Sequence, residues 1–192
     1  MVSTRPKGKH TYADYFATPE GERWELIDGV LYHMAAAPNR KHKTASGNLF
    51  FLFSSQIRPG RLGLVYAAPF AVMLPDESTV EPDLLFVSAA RRDIVTERAC
   101  EGTPDLVVEI LSPSNTRHDL ERKRELYARH GIPMYLIVDA DAESVRALTE
   151  PIVDGIDGVY TQEVEYHAGD IMEISVIPGL RLAVSDIFES PL

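Results

Sequence analysis

The stretch that decides the fold is Asp105-Leu-Val-Val-Glu-Ile-Leu111, a near-continuous apolar run with one acidic residue, Glu109, inside it. An apolar run of this length predicts a strand buried in a sheet. Burying an ionised carboxylate costs on the order of several kcal/mol unless a cation, a metal ion or hydrogen bonds compensate it. The sequence therefore predicts a partner for Glu109.

The residues that follow predict how this strand is connected. A helix is expected from about Asp119 to His130, with Gly131 as its stop, and Met134 to Asp139 is a second apolar strand. A strand, a helix and a strand at this spacing form the pattern of a βαβ unit.

The rest of the chain predicts further helices and strands around that unit. Asp28-Gly29 is a strong signal for a two-residue hairpin turn. The other predicted elements are a helix at Thr11–Ala17, hairpin strands at Trp24–Ile27 and Val30–Met34, a helix at Lys41–Ile57 ended by Pro59-Gly60, and strands at Ala67–Leu74, Pro82–Val87, Val145–Leu148, Val159–Tyr166, Ile171–Val176 and Leu180–Val184. The fold class expected is α/β (an α+β mixed sheet) with flanking helices and an antiparallel C-terminal meander.

Length and composition limit the classes of protein. The 192 residues suit one domain, expected at 11–192 after a flexible tail at 1–10. No stretch approaches the roughly 20 apolar residues of a membrane span, and no secretory signal is visible. Cys100 is the single cysteine, which excludes an internal disulfide and suits the cytoplasm.

The net charge of −10 is unevenly placed, because residues 139–192 carry twelve acidic and two basic side chains. This balance argues against a protein that coats DNA through non-specific phosphate contacts. One segment is nevertheless basic, and it is interpreted either as a local groove or as a solvated helix face. Its cations are Arg40, Lys41, Lys43, Arg58 and Arg61.

Three residues are the main candidates for chemistry. Asp83 lies just inside a predicted strand, and Lys123 shares a face of its predicted helix with Leu120 and Tyr127. One interpretation is a buried ion pair of Lys123 with Glu109 and no chemistry. The other is a catalytic site in which Asp83 and Glu109 bind a hard divalent cation and Lys123 orients or deprotonates a water.

Three further residues are weaker candidates for an accessory role. Glu25 lies in the predicted hairpin, where an exposed position is the ordinary expectation. His42 falls on the inward face of its helix, as a hydrogen-bonded core residue or as a contact to phosphate or metal. Tyr127 could donate a hydrogen bond to the site, although packing alone also explains it.

The ordered set of motifs resembles the Uma-two family of restriction-endonuclease-like proteins, within the PD-(D/E)xK nuclease superfamily. The motifs that carry the resemblance are Glu81-Pro-Asp83, the stretch from Pro104 to Ser114, and Asp119-(x3)-Lys123-(x3)-Tyr127 with Gly131 and Tyr135 to Asp139 beyond. The resemblance implies a restriction-endonuclease-like core and a metal site of Asp83 and Glu109, with Lys123 as the catalytic lysine. Leu111 stands where the superfamily pattern has its lysine, and Leu136 where the family usually has tryptophan.

The function expected from the residues and the resemblance together is an Mg²⁺- or Mn²⁺-dependent nuclease that acts on DNA rather than RNA. A homodimer is expected, since such nucleases often pair to cut both strands. The alternative is a catalytically silent nuclease fold that works as a binding or assembly module. The acidic C-terminal part of the chain favours that alternative, and the joint presence of Asp83, Glu109 and Lys123 argues against it.

Overall fold

A computed structural model describes residues 9–34, 38–112, 117–154 and 157–190 of the chain. Most of the tail expected at residues 1–10 lies outside the described residues. The helices are α1 (Tyr12–Phe16), α2 (Arg40–Gly60), α3 (Arg117–Arg129) and α4 (Val184–Phe188), and a 3₁₀ segment spans Ala89–Ile94. None of the described helices is long and apolar enough to cross a membrane.

Thirteen strands are present in the described part of the chain. They are β1 (Trp24–Ile27), β2 (Val30–His33), β3 (Gly63–Ala67), β4 (Ala71–Met73), β5 (Thr79–Val80), β6 (Leu84–Ser88), β7 (Ala99–Glu101), β8 (Leu106–Ile110), β9 (Met134–Asp139), β10 (Ser144–Asp154), β11 (Asp157–His167), β12 (Ile171–Glu173) and β13 (Arg181–Ala183). The strands and helices together confirm the predicted mixed α/β class.

The central sheet has six strands in the order β11-β10-β9-β8-β6-β3. Strands β8 and β9 pair in parallel, with Glu109 beside Ile137, and α3 connects them. The predicted βαβ unit is therefore confirmed. The other pairings in this sheet are antiparallel.

A second sheet has the order β2-β1-β5-β4-β7. Its β1–β2 hairpin confirms the predicted turn, because Asp28 and Gly29 both have positive φ, 52° and 75°. That backbone matches the right-handed twist of the two strands, and it is the reason for an Asp-Gly pair there. The hairpin places β1 next to β5, at Leu26 and Thr79.

The two faces of the central sheet carry two separate cores. On one face α2 packs through Ala45, Leu49 and Phe53 against alternate residues of β8, among them Val108. On the other face α3 packs through Leu126 and Tyr127 with Val107. Successive side chains of a strand point to opposite faces. Glu109 therefore shares the α3 side with Val107.

The structure corrects several predicted boundaries. Helix α2 includes Pro59 and ends at Gly60, and it is capped by Arg61, whose φ of 49° is left-handed. Of the strand predicted at Ala67–Leu74, Ala67 is the last residue of β3 and Ala71–Met73 form β4, and these two strands lie in different sheets. The antiparallel C-terminal strands are confirmed, and they form two separate pairs, β10 with β11 and β12 with β13.

Candidate active site

One lysine joins two elements through their buried carboxylates. The Nζ atom of Lys123 on α3 lies 2.9 Å from Glu109 Oε1 on β8 and 2.8 Å from Glu25 Oε1 on β1. All three residues are buried, with 6–7% of their surface exposed. The partner predicted for Glu109 is therefore Lys123, and Glu25 shares it.

The helical repeat of α3 explains why Lys123 reaches the sheet. Lys123 lies four residues before Tyr127, so both side chains are on the face that packs against β8. The hydroxyl of Tyr127 donates a hydrogen bond of 2.6 Å to Glu109 Oε1. The same carboxylate oxygen therefore accepts from both Lys123 and Tyr127, which fixes its position.

Asp83 reaches the same place from the start of β6. Its Oδ2 atom accepts a hydrogen bond of 2.7 Å from the main-chain N–H of Ile110, the residue after Glu109. The Nε2 atom of His42 on α2 lies 3.2 Å from the same oxygen. Asp83 is half-buried, and both carboxylates line one cavity.

A second layer of polar contacts orients Glu25. The main-chain N–H of Glu81 donates to Glu25 Oε1 at 3.1 Å. The Glu81 carboxylate in turn pairs with Arg23, at 2.9 Å between Oε2 and Nη2, and accepts from the Tyr15 hydroxyl at 3.3 Å. The main chain of Glu81 thus orients Glu25 toward Lys123, and the ion pair with Arg23 fixes Glu81.

The cavity has a volume of about 230 Å³ and lies where α2, α3 and the two sheets meet. Asp83, Glu109 and Lys123 are among the residues that line it. Arg122 also lines the cavity, and its guanidinium lies 4.0 Å from the centre of the Tyr32 ring, a cation–π contact. The lining of the cavity therefore contains both carboxylates and an arginine.

Burial and the neighbouring carboxylates together determine the electrostatics of the cluster. Burial raises the pKa of Glu109, and although Lys123 opposes the shift, Glu25 and Asp83 reinforce it, so the pKa of Glu109 stays above its ordinary value. Burial would lower the pKa of Lys123, but the carboxylates of Glu109 and Glu25 outweigh it and raise that pKa. Lys123 is thus held as an ammonium ion.

The donor set fits a divalent cation that prefers oxygen. Among the described residues, Oδ1 of Asp83 and Oε2 of Glu109 make no hydrogen bond, so each carboxylate keeps one oxygen for a ligand. No three His, Cys, Asp or Glu side chains in the described ranges are grouped so that they could hold a metal ion. Mg²⁺ is commonly bound by one or two carboxylates plus waters, and an added positive charge would offset the crowded carboxylates.

The structure places all six residues singled out in the sequence at this cavity or next to it. Asp83, Glu109 and Lys123 come together, Tyr127 bonds to Glu109, and His42 contacts Asp83. A glutamate in a hairpin is ordinarily exposed, but Glu25 is buried. The supporting pair of Arg23 and Glu81 was not foreseen, because it joins residues 58 positions apart.

Comparisons with known proteins identify the fold and the family. A crystal structure described as "a putative nuclease belonging to DUF820", from Anabaena variabilis, superposes with a TM-score of 0.75 at 18% sequence identity, over 93% of this chain and 97% of that chain. A cryo-electron microscopy structure of a DrdV–DNA complex aligns at 14% identity over 79% of this chain and 14% of that chain, with a TM-score of 0.33, which is too low to indicate a shared fold. No curated protein sequence matches the chain.

The Anabaena variabilis structure shows that this chain shares its fold with a solved protein. The family is identified by a match of the amino-acid sequence. The sequence profile of the Uma2 family, described as "Putative restriction endonuclease", matches residues 12–185. That range begins at α1 and ends inside α4, so it includes every residue of the carboxylate and lysine cluster. The chain belongs to the Uma2 family.

Proposed function

We propose that this protein is a divalent-metal-dependent nuclease that hydrolyses phosphodiester bonds of DNA. The observation that carries the proposal is the convergence of Asp83, Glu109 and Lys123 on one cavity. Two carboxylates can hold a metal ion that activates water, and a lysine beside them can donate a hydrogen bond to the water or to the phosphate. Membership of a family described as restriction endonucleases supports the same reaction and favours DNA over RNA.

In this proposal each side chain of the cluster has a role. Asp83 and Glu109 would hold Mg²⁺ or Mn²⁺, and the bound ion supplies positive charge that lowers the pKa of a bound water and offsets charge on the phosphate. Lys123 orients the water or the phosphate as a hydrogen-bond donor, because its raised pKa makes it a poor base. Tyr127 holds Glu109 in place, and His42 contacts Asp83.

The second candidate is a binding or assembly module without catalysis. The observation that favours it is the pairing of Lys123, whose ammonium is bound by two buried carboxylates of the protein itself, those of Glu25 and Glu109. In this interpretation the three buried charges only connect α3 to the two sheets. The two candidates differ in whether phosphodiester bonds are cut.

The deciding experiment incubates the protein with single-stranded, duplex and branched DNA, and with RNA, in Mn²⁺, Mg²⁺ or chelator. The proposal expects metal-dependent cleavage of DNA by the wild type, and its loss in Asp83→Ala and Lys123→Ala. The exposed ion pair of Arg92 and Asp93 supplies matched controls, Arg92→Ala and Asp93→Ala, which should cut normally. Equal binding with and without chelator and no cleavage of any substrate would instead support the module.

Two other expectations stay predictions. A cytoplasmic location follows from the single, buried Cys100. The homodimer is expected because related nucleases often pair to cut both strands. In the described part of the chain we assign the dimer contact to one exposed apolar surface. This surface is the part of the β10–β11 ribbon beyond the central sheet, where Ile152, Val153 and Val159 are half exposed.

A further inference from the structure

Three of the described side chains that line the cavity are lysine or arginine, and they differ in how many of their hydrogen-bond donors are used. Arg23 contacts Oε2 of Glu81 through both Nε, at 3.0 Å, and Nη2, at 2.9 Å. The ammonium of Lys123 is shared by two buried carboxylates. Arg122 makes one ion pair, at 3.0 Å between its Nη1 atom and Oδ1 of Asp119. The Nε and Nη2 atoms of Arg122 donate to no acceptor among the described residues.

The guanidinium of Arg122 is nevertheless held in place from two sides. Its Cζ atom lies 4.0 Å from the centre of the Tyr32 ring on β2, and Asp119, three residues earlier on α3, binds one of its nitrogens. The side chain is 28% exposed, whereas that of the surface residue Arg92 is 74% exposed. A guanidinium that is already positioned loses less side-chain entropy when it binds a ligand. Arg122 thus combines a fixed position with unused donors.

The position of Arg122 on α3 brings it to the carboxylate site. It directly precedes Lys123, and successive side chains of a helix point roughly 100° apart. Both side chains line the same cavity of about 230 Å³, together with Asp83 and Glu109. A phosphate that reaches a metal ion at these two carboxylates would therefore lie in the cavity that Arg122 lines.

The charge of the cavity explains why an anionic substrate needs such a residue. In the described lining, acidic side chains outnumber lysines and arginines five to three. An incoming phosphate is repelled by this excess unless a cation contacts it directly. A planar guanidinium can do so with two parallel hydrogen bonds to two oxygens, and Nε and Nη2 lie on one edge of it. These are the two nitrogens of Arg122 that have no acceptor in the described part of the chain.

We propose that Arg122 binds the phosphate that is cut, donating from Nε and Nη2 to its two non-bridging oxygens. The ligand class is a phosphodiester of a nucleic-acid backbone. Tyr32 and Asp119 are positioning residues in this arrangement, because they hold the guanidinium and do not touch the substrate. The inference rests on the proposed nuclease function, since it places the substrate's phosphate at the site of Asp83 and Glu109.

Fluorescence anisotropy of a labelled thymidine oligonucleotide, titrated in Ca²⁺, tests the contact. Arg122→Gln should bind roughly tenfold or more weakly than the wild type and lose about one from the slope of log affinity against log salt. The matched control is Arg124→Gln on the same helix, because Arg124 also has one ion pair, at 2.9 Å to Glu163, and is 37% exposed but does not line the cavity. Equal losses in both variants, or no loss in Arg122→Gln, would show that the proposal is wrong, as would a wild type that does not bind the oligonucleotide.

A second readout identifies the group that Arg122 contacts. With the uncharged methylphosphonate analogue of the same oligonucleotide, the difference in affinity between the wild type and Arg122→Gln should disappear, and a difference that persists overturns the proposal. Urea denaturation shows whether each variant is folded. If Arg122→Gln is not, Arg122→Lys decides: it keeps the charge but should still bind severalfold more weakly, because an ammonium cannot span two oxygens as a guanidinium does. Wild-type affinity in Arg122→Lys would contradict the two-oxygen contact.

Cleavage kinetics separate this inference from the proposed function. In Mn²⁺, Arg122→Gln should lower kcat, because negative charge on the phosphate that is cut is stabilised in the transition state. A wild type that cuts DNA, with kcat unchanged in Arg122→Gln, upholds the nuclease and overturns the contact, even if KM rises, since a raised KM alone indicates a neighbouring phosphate. A wild type that never cuts DNA defeats the nuclease proposal, while a binding loss specific to Arg122→Gln and to charged phosphates still upholds Arg122 as the phosphate-binding residue.

Discussion

Replacing Lys123 by methionine tests the electrostatic core of the site. Methionine keeps the length and apolar part of the side chain and removes the ammonium that lies 2.8 Å and 2.9 Å from two carboxylates. Both carboxylates are buried, so each would be left without its counterion. Removing one partner of a buried pair costs about 3–5 kcal/mol, a large share of the roughly 5–15 kcal/mol that stabilises a typical domain.

The assay is urea denaturation at pH 7 in chelator, for the wild type and Lys123→Met. Glu109→Gln in the Lys123→Met background should restore about 1–3 kcal/mol, because it keeps the shape and removes a buried carboxyl that is either ionised without a counterion or protonated at a cost. Lys43→Met, on an exposed position of α2, is the matched control and should change stability by less than about 0.5 kcal/mol. A loss below about 1 kcal/mol in Lys123→Met would refute the reasoning, since the carboxylates would then not depend on this ammonium.

The remaining predictions concern parts of the molecule outside the site. Burial raises the pKa of Asp76, but the imidazole of His130, 3.2 Å from its Oδ2, and the hydrogen bond from the Ser78 main chain outweigh burial and hold that pKa below its ordinary value. The ionised Asp76 carboxylate therefore stabilises the fold above the unfolded pKa of about 4, and this stabilisation is lost as the pH falls further. In urea denaturation, Asp76→Asn should lower the free energy of unfolding by on the order of 2 kcal/mol at pH 7 and by progressively less below pH 4. Light scattering tests the homodimer: Val159→Lys should return a dimer to the 21.4 kDa monomer, and a wild type that is monomeric at every concentration would contradict the dimer.

Local sequence patterns were enough to predict the centre of the site. Glu109 stands out because a charge in an apolar strand needs a partner, and the helical repeat places Lys123 on the face that meets that strand. The strand, helix and strand around them have strong periodicity, and their parallel pairing follows from their order. These features depend on residues near one another in the chain, so the sequence predicts them well.

The parts that were not predicted depend on contacts between distant residues. Glu25 is buried because β1 joins the second sheet beside β5, a pairing across about fifty positions that no local pattern reveals. Strands β4, β5 and β7 have two or three residues each, too short for a period of two to be visible.

The most direct test of the central claim is a titration of Mn²⁺ followed by electron paramagnetic resonance. If Asp83 and Glu109 hold the metal ion, the wild type should bind Mn²⁺, and Asp83→Asn and Glu109→Gln should each weaken the binding by roughly tenfold or more, while Asp93→Asn, at an exposed position, should not. Equal Mn²⁺ binding by the wild type and both site variants would contradict the claim that Asp83 and Glu109 hold the metal ion.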